Sequence, residues 1–218
     1  MKSNSCRFFN PSPRRIRSML LAGALCLAAV APPAFSLERA FDHSAWDQFL
    51  KRFVNEKGEV NYQAAKEDPA LLNQYLGQIA AIKMDDFQEN WPREEKLALW
   101  LNAYHAGLIS QVIRHYPVKS VQHIPGFWDV AAIRLGDGAY GLNLIRAGQL
   151  IGSFRDEKIH MVLSSGTVDG PRLAQEAFTG AKVEGQLFLL AKKYLNEIAE
   201  TGIIPGKKKL ELPLIFKW

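Results

Sequence analysis

The sequence predicts one helix-rich α+β domain preceded by a cleavable leader. Its 218 residues suit a single domain of ordinary size, and 48% apolar with 22% charged residues is typical of a globular chain. Apolar residues recur mainly at the three- and four-residue spacing of helices. The strand-like segments are few and clustered, which argues against alternating βαβ units. We therefore expect a leader over residues 1–36 and a single domain over residues 37–218.

The leader has the layout of a secretory signal peptide. Basic residues precede an uncharged stretch, Met19–Ala31, and Ala34 and Ser36 supply small residues before a cut at Leu37. The stretch is shorter than the roughly 20 residues that a membrane-spanning helix needs. Cleavage would give a periplasmic or secreted protein without a stable membrane anchor, and an uncleaved anchor is the alternative. An adjacent arginine pair leaves open whether export uses the general or the twin-arginine route.

Removal of the leader cancels the positive charge of the chain. The chain has 27 Lys and Arg against 22 Asp and Glu. Because 5 of the cations and none of the carboxylates lie in residues 1–36, the remainder has 22 cationic and 22 anionic side chains. Without a net positive charge, nucleic acid is a poor partner. Cys6 and Cys26 also lie in the leader. The domain therefore has no disulfide, thiolate nucleophile or cysteine-ligated zinc, and no cofactor is predicted.

The first half of the domain is predicted to be helical. Apolar residues at helical spacing predict a helix over residues 44–54. A turn around Gly58 and an extended GEVNY follow, and then Pro69 opens a second helix. A long helix over about residues 92–116 has acidic residues in its first turn and basic residues in its last, as the helix dipole favours.

The second half of the domain adds strands and shorter helices. Alternation around a GDG turn predicts a β-hairpin over about residues 130–142, and Asn143 is placed to cap a short helix that ends before Gly152. The apolar run IHMVLS predicts a buried strand over about residues 159–164. The remaining predicted elements are a helix over 172–178, a helix that ends at Ala199 and an extended segment over 208–215.

The long helix carries a resemblance to a known family. EKLALWLNAYHAGLISQVIRHYPVKSV resembles the signature helix of the domain of unknown function 547 family, which usually reads close to EKLAFWINAYNALTI followed by YPV. The segments GEVNYQAAKEDPALLNQYL, IHMVLSSGTVDGPRLAQEAF and LELPLIFKW resemble three further parts of the family, so the resemblance covers nearly the whole domain. The family is recurrent in exported bacterial proteins, and the resemblance implies no particular activity.

Two departures from the family's pattern indicate a divergent member. The cysteines of the family's CASxSCP run fall on Ser165 and Gly170, so any thiol-dependent chemistry is lost. The last residue of the family's NAYN run is His105 in this chain, which replaces an amide by an imidazole whose ordinary pKa lies near neutrality.

A helical projection divides the long helix into a narrow arc suited to water and a wide apolar arc. The arc predicted to face water consists of Lys96, Ala103, Gly107, Ser110 and Arg114. All other directions are largely apolar, so protein should surround the helix almost completely. Glu95, Asn102 and His105 lie inside the apolar arc. An unmet buried polar group costs about 1–3 kcal/mol, so these three residues mark either a structural network, the commoner case, or a polar cleft.

The residues that could take part in catalysis or in ligand binding form two sets. The catalytic candidates are His160, His105, Asn102 and Ser165, and the ligand-binding candidates are Glu95, Tyr104, Asp169 and Arg172. His160 lies on the predicted strand, and the loop after it gathers hydroxyls, charges and glycines at a strand end. On a straight strand Ser165 faces away from His160, so a Ser–His dyad requires the chain to turn back. No metal site is predicted, because the histidines lack paired local spacing, although His105, His160 and Glu95 remain an unfavoured metal-binding set.

Two functional interpretations follow. The leading one is an exported, soluble binding or structural module that has lost any thiol-dependent chemistry. The alternative is a hydrolase or acyl-transfer enzyme with His160 or His105 as acid/base, Asn102 as an orienting residue and Ser165 as nucleophile. A concave pocket that joins these residues and reaches solvent would favour the enzyme.

Overall fold

A computed structural model describes the backbone of residues 40–167 and 170–201 and the side chains of all but the last three of these. The α-helices are α1 (Ser44–Phe53), α2 (Tyr62–Glu67), α3 (Ala70–Ala80), α4 (Met84–Asn90), α5 (Arg93–His115) and α6 (Val183–Thr201). Two 3₁₀ turns span Val121–His123 and Glu157–Met161, and a π-helix spans Leu144–Gly152. The helix-rich α+β prediction is confirmed.

The described residues contain one antiparallel hairpin and an isolated antiparallel bridge between Val54 and Val60. Strand β1 (Ala131–Leu135) pairs with β2 (Gly138–Gly141), with a bulge between Ala131 and Ile133. Gly136 adopts a φ of +55° in the connecting turn, a conformation that glycine tolerates best. The hairpin predicted over residues 130–142 is confirmed.

Helix α5 is the centre of the core. Every residue from Leu97 to Ile113 is buried, so the expectation that protein surrounds this helix is confirmed. The predicted water-facing arc is wrong over its middle part, because Ala103, Gly107 and Ser110 are buried. The hairpin covers this arc: a Cβ on Gly107 would lie 2.8 Å from Ile133 Cγ2. The small residues allow β1 to approach α5 closely.

Helices α1 and α3 pack together at the amino-terminal end of the described chain. Trp46 of α1 stacks on Phe49 and on Tyr75 of α3, with ring centroids 5.3 and 5.7 Å apart. His43 immediately precedes α1 and contacts the same tyrosine. This packing carries His43 and Tyr75 to the face of α5 where the predicted polar residues lie.

Two short helices were not predicted. Helix α2 begins at Tyr62, where the extended GEVNY segment was expected to end, because the Asn61 side chain accepts a hydrogen bond from the amide of Ala64. Helix α4 has two acidic residues in its first turn, which suit the positive end of the helix dipole. Both helices are too short for apolar periodicity to indicate them.

The buried strand predicted over residues 159–164 is wrong. This part of the chain is a 3₁₀ turn followed by an irregular segment, and Asp156 caps the turn by accepting from the amide of Lys158 at 2.9 Å. Ile159, Val162 and Leu163 are buried as expected. A short apolar run fits any buried conformation, and no described strand pairs with this one.

Two further predictions need correction. Residues 172–178 form no helix and continue as irregular chain up to α6. The segment after Asn143 is a π-helix that includes Gly152, and Asn143 does not cap it, since its side chain donates to Asp129 Oδ1 at 2.9 Å. The predicted extended segment 208–215 lies outside the described residues. Among the helices that are described, none is long and apolar enough to cross a membrane.

Candidate functional site

The polar residues of α5 form one buried cluster. Glu95, Asn102 and His105 follow one another at helical spacing and are 8%, 0% and 2% exposed, and Tyr104 lies beside them at 2%. We call these four residues the α5 polar cluster. Most of their hydrogen-bonding atoms point at neighbouring backbone, whereas Glu95 Oε2 is buried without a hydrogen-bond partner among the described residues.

Asn102 holds the backbone of Phe178. Its Oδ1 accepts from the Phe178 amide at 3.0 Å, and its Nδ2 donates to the Phe178 carbonyl at 2.8 Å. The side chain thus satisfies both main-chain groups of one buried residue in a segment that has neither helix nor strand. Nδ2 also lies 3.1 Å from His43 Nδ1.

His43 joins α1 and α3 to the α5 polar cluster. Its Nδ1 lies 2.7 Å from the Tyr75 hydroxyl as well as near the Asn102 amide. Because an amide NH₂ only donates, Nδ1 accepts and the ring proton lies on Nε2. Burial lowers the pKa of His43 to about 4, so the ring is neutral at pH 7.

His105 and Tyr104 together hold the backbone of Ser164. His105 Nε2 accepts from the Ser164 amide at 3.3 Å, and the Tyr104 hydroxyl donates to the Ser164 carbonyl at 3.0 Å. Complete burial lowers the pKa of His105 to about 4, although backbone hydrogen bonds with Leu101 and Val162 act in the opposite direction. Burial raises the pKa of Tyr104. Both side chains are therefore neutral at pH 7.

Glu95 lies against the backbone of Gly180. A Cβ at position 180 would lie 2.8 Å from Glu95 Cγ and closer still to the carboxylate, so only glycine leaves room for this side chain. Burial raises the pKa of Glu95, and hydrogen bonds from the Phe41 and Gly180 backbone partly offset this effect. The α5 polar cluster thus contacts backbone at Ser164, Phe178 and Gly180.

The other two predicted catalytic residues, Ser165 and His160, are not members of this cluster. Ser165 Oγ lies 2.7 Å from Thr167 Oγ1, and no hydrogen bond joins it to His160 among the described residues. His160 is half-buried on the 3₁₀ turn, and its pKa is lowered by burial and by the charge of Arg146, with Glu157 acting in the opposite direction. Asp169 lies outside the described residues.

The two positions on which the resemblance places cysteines lie close together. A Cβ on Gly170 would be 3.5 Å from the Cβ of Ser165, which is within the separation found in disulfides. Cysteines at both positions would therefore be within reach of a crosslink. Here neither residue has a thiol, and the hydroxyls of Ser165 and Thr167 bond to each other instead.

Ser164 and the irregular residues 172–176 border two pockets. The larger, of about 510 Å³, lies between α6 and residues 172–176. The smaller, of about 190 Å³, lies beside Ser164 and has Leu108 and Ile109 of α5 in its wall. Arg172 and Leu173 line both pockets. Within the described part of the chain, no three His, Cys, Asp or Glu side chains are grouped to hold a metal ion.

Sequence reasoning found the α5 polar cluster but missed its partners. His43 and Phe178 lie 59 and 76 positions from Asn102. Neither carries a local signal, since His43 only precedes a helix and Phe178 contributes main-chain atoms. Because a helix was predicted over 172–178, the sequence did not indicate an irregular backbone that needs these hydrogen bonds.

Comparison with known families places the site in a recognised domain. The family model described as Protein of unknown function, DUF547, matches residues 88–195. This range contains α5, the hairpin, Ser164 and Phe178, whereas His43 and Tyr75 precede it. No curated protein and no solved structure matches the chain. The resemblance is confirmed for the part of the chain that holds the α5 polar cluster.

Proposed function

Since residues 88–195 belong to the DUF547 family, whose function is unknown, we propose from the geometry of this chain that it is a binding module and that the α5 polar cluster has no catalytic role. One observation carries this proposal. Asn102, His105 and Tyr104 use their hydrogen-bonding atoms to hold the backbone of Ser164 and Phe178, and the irregular chain around these residues, Ser164 itself and residues 172–176, lines two pockets.

Catalysis by these residues would require atoms that reach a substrate. A general acid or base must come within hydrogen-bond distance of the proton that it transfers. His105 is buried and its Nε2 accepts from Ser164, and both ends of the Asn102 amide bond to Phe178. A substrate could reach either side chain only if this backbone moved away.

A serine nucleophile lacks support for a related reason. A serine hydroxyl is a weak nucleophile unless an adjacent base activates it. The hydrogen-bond partner of Ser165 is the hydroxyl of Thr167, which is no base. The separation of positions 165 and 170 also favours a structural crosslink, now lost, over a catalytic thiol as the role of cysteines there.

The proposed location of this module is outside the cytoplasm. The basic, apolar and small-residue parts of the leader follow one another in the order of a signal peptide, which supports export with cleavage before Leu37. The domain that remains has a formal charge near zero, which supports a partner other than nucleic acid.

Covalent labelling tests the proposal against the hydrolase alternative. The protein isolated from a bacterial periplasm or medium is treated with a fluorophosphonate and with iodoacetamide, and its peptides are mapped by mass. We expect no labelled cysteine, no single labelled serine and an amino terminus near Leu37.

A matched pair of variants makes the labelling decisive. Ser165→Ala removes the candidate nucleophile, and His160→Ala removes its candidate base. Fluorophosphonate labelling of Ser165 that disappears in folded His160→Ala protein would establish the enzyme and refute the binding module. Weak labelling of many exposed hydroxyls, unchanged in both variants, agrees with the proposal, because an activated serine reacts at one site.

A further inference from the structure

Helix α6 exposes large apolar side chains on the side that faces away from the core. Phe188, Leu189 and Leu195 are 58%, 65% and 42% exposed. The opposite side of the helix is buried, as Leu187 and Ala191 show, so α6 is apolar on both sides. Apolar side chains that are exposed together on a folded protein mark an interaction surface.

The charges around Phe188 are arranged symmetrically along the helix. Glu184 lies four positions before Phe188 and Lys192 four positions after it, and both are exposed. At about 100° per residue, these three side chains point in one direction to within about 40°. Leu195, seven positions after Phe188, falls within the same arc. We call Glu184, Phe188, Lys192 and Leu195 the α6 stripe.

The surface around the stripe has room for a neighbour. A Cβ on Gly185, which adjoins the stripe, would meet no side chain and no neighbouring segment within 4 Å among the described residues. Glu184 makes a long contact with Arg93, whose Nη1 lies 3.9 Å from Glu184 Oε1. Both side chains of this pair are more than half exposed, so water screens it and Glu184 can pair with a closer cation.

A second copy of α6 in antiparallel orientation would complement the stripe. A two-fold axis beside Phe188 brings residues that are equally far before and after it to the same level of the two helices. Glu184 would then lie opposite the partner subunit's Lys192, and this ion pair would occur twice. The two Phe188 rings would meet at the axis, beside the open surface at Gly185.

We propose that the α6 stripe is a dimer interface, in which two copies of this chain pack their α6 helices antiparallel around Phe188. Opposite charges at equal distances from one exposed aromatic residue suit a two-fold interface, because each contact in it is made twice. A different protein partner would need no such symmetry. An anionic membrane attracts faces rich in cations, whereas the stripe has one basic and one acidic residue. The interface does not depend on the binding function proposed above.

Sedimentation of the full exported chain with charge-reversed variants tests the interface. Over about 1–500 µM we expect a monomer–dimer equilibrium with a Kd of about 100 µM or lower. Glu184→Lys and Lys192→Glu should each weaken dimerisation by about tenfold or more, because each places like charges opposite each other twice. The combined variant should regain a Kd within about threefold of the wild type, since the reversed charges attract again.

A single cysteine tests the position of the two-fold axis. Residues 37–218 contain no cysteine, so a disulfide can form only between copies. Phe188→Cys places both thiols at the axis and should oxidise to a crosslinked dimer, whereas Leu144→Cys, at an exposed apolar position outside α6, should stay monomeric. A chain that stays monomeric at every concentration, a combined variant that does not regain association, or equal crosslinking of the two cysteines would overturn the interface.

Discussion

Replacement of Asn102 by Leu should lower the free energy of unfolding by about 2–6 kcal/mol. The substitution preserves volume but leaves the amide and the carbonyl of Phe178 without partners, and each unsatisfied buried group costs about 1–3 kcal/mol. His43 Nδ1 also loses its contact with the Asn102 amide. The effect should be large because no water replaces the lost groups at a position that is 0% exposed.

Denaturant titration of matched variants measures this loss. Asn143→Leu is the control, because Asn143 is exposed and its side chain bonds, among the described residues, only to another surface side chain, that of Asp129. The control should change stability by less than about 1 kcal/mol. If Asn102→Leu is no more destabilising than Asn143→Leu, the hydrogen bonds to Phe178 do not hold the segment.

Mild acid should destabilise the protein through its buried histidines. The pKa values of His43 and His105 fall from an ordinary value near 6.5 to about 4 on folding, so the unfolded chain binds protons first as the pH falls. The stability from these residues is complete above pH 6.5 and is lost progressively down to about pH 4. Between pH 8 and pH 5 each histidine should account for a loss of about 2 kcal/mol.

Glutamine variants identify the source of this pH dependence. A glutamine amide does not titrate and can still accept a hydrogen bond, so His43→Gln and His105→Gln should each remove about half of the loss. The raised pKa of Glu95 acts in the opposite direction and reduces the net change. Unfolding curves measured at several pH values provide the test. Equal stability of the wild type at pH 5 and pH 8, or an unchanged loss in the double variant, would contradict these assignments.

The periodicity of apolar residues and the turn residues predicted the elements whose own sequence carries a clear signal. Helix α5, α6 and the hairpin each carry a long or well-punctuated pattern, and the structure contains all three. The error about the water-facing arc of α5 has a physical cause. Gly107 and Ser110 are small, and small residues on a helix suit either exposure to water or close packing against a neighbour. The position of the hairpin determines which of these two environments they have, and the sequence of the helix does not contain that position.

The irregular chain over residues 162–167 and 170–182 escaped prediction for a different reason. Its backbone is held by side chains that lie far away in sequence, and no local rule indicates such bonds. The run IHMVLS is buried as predicted but adopts a 3₁₀ turn, because burial does not specify backbone conformation. The two interpretations of Asn102, structural network or polar cleft, could be separated only by knowing that Phe178 is its partner.

Amide hydrogen exchange of the native protein tests most directly whether the α5 polar cluster fixes this backbone. The informative amides are those of Ser164 and Phe178, which bond to His105 and Asn102; the internal reference is the amide of exposed Gly166, which bonds only to a surface hydroxyl, that of Ser164 at 3.3 Å, among the described residues. We predict that Ser164 and Phe178 exchange as slowly as amides in the middle of α5, while Gly166 exchanges much faster. Exchange of Ser164 and Phe178 at the rate of Gly166, with α5 still protected, would contradict the structural role and leave these side chains accessible for chemistry.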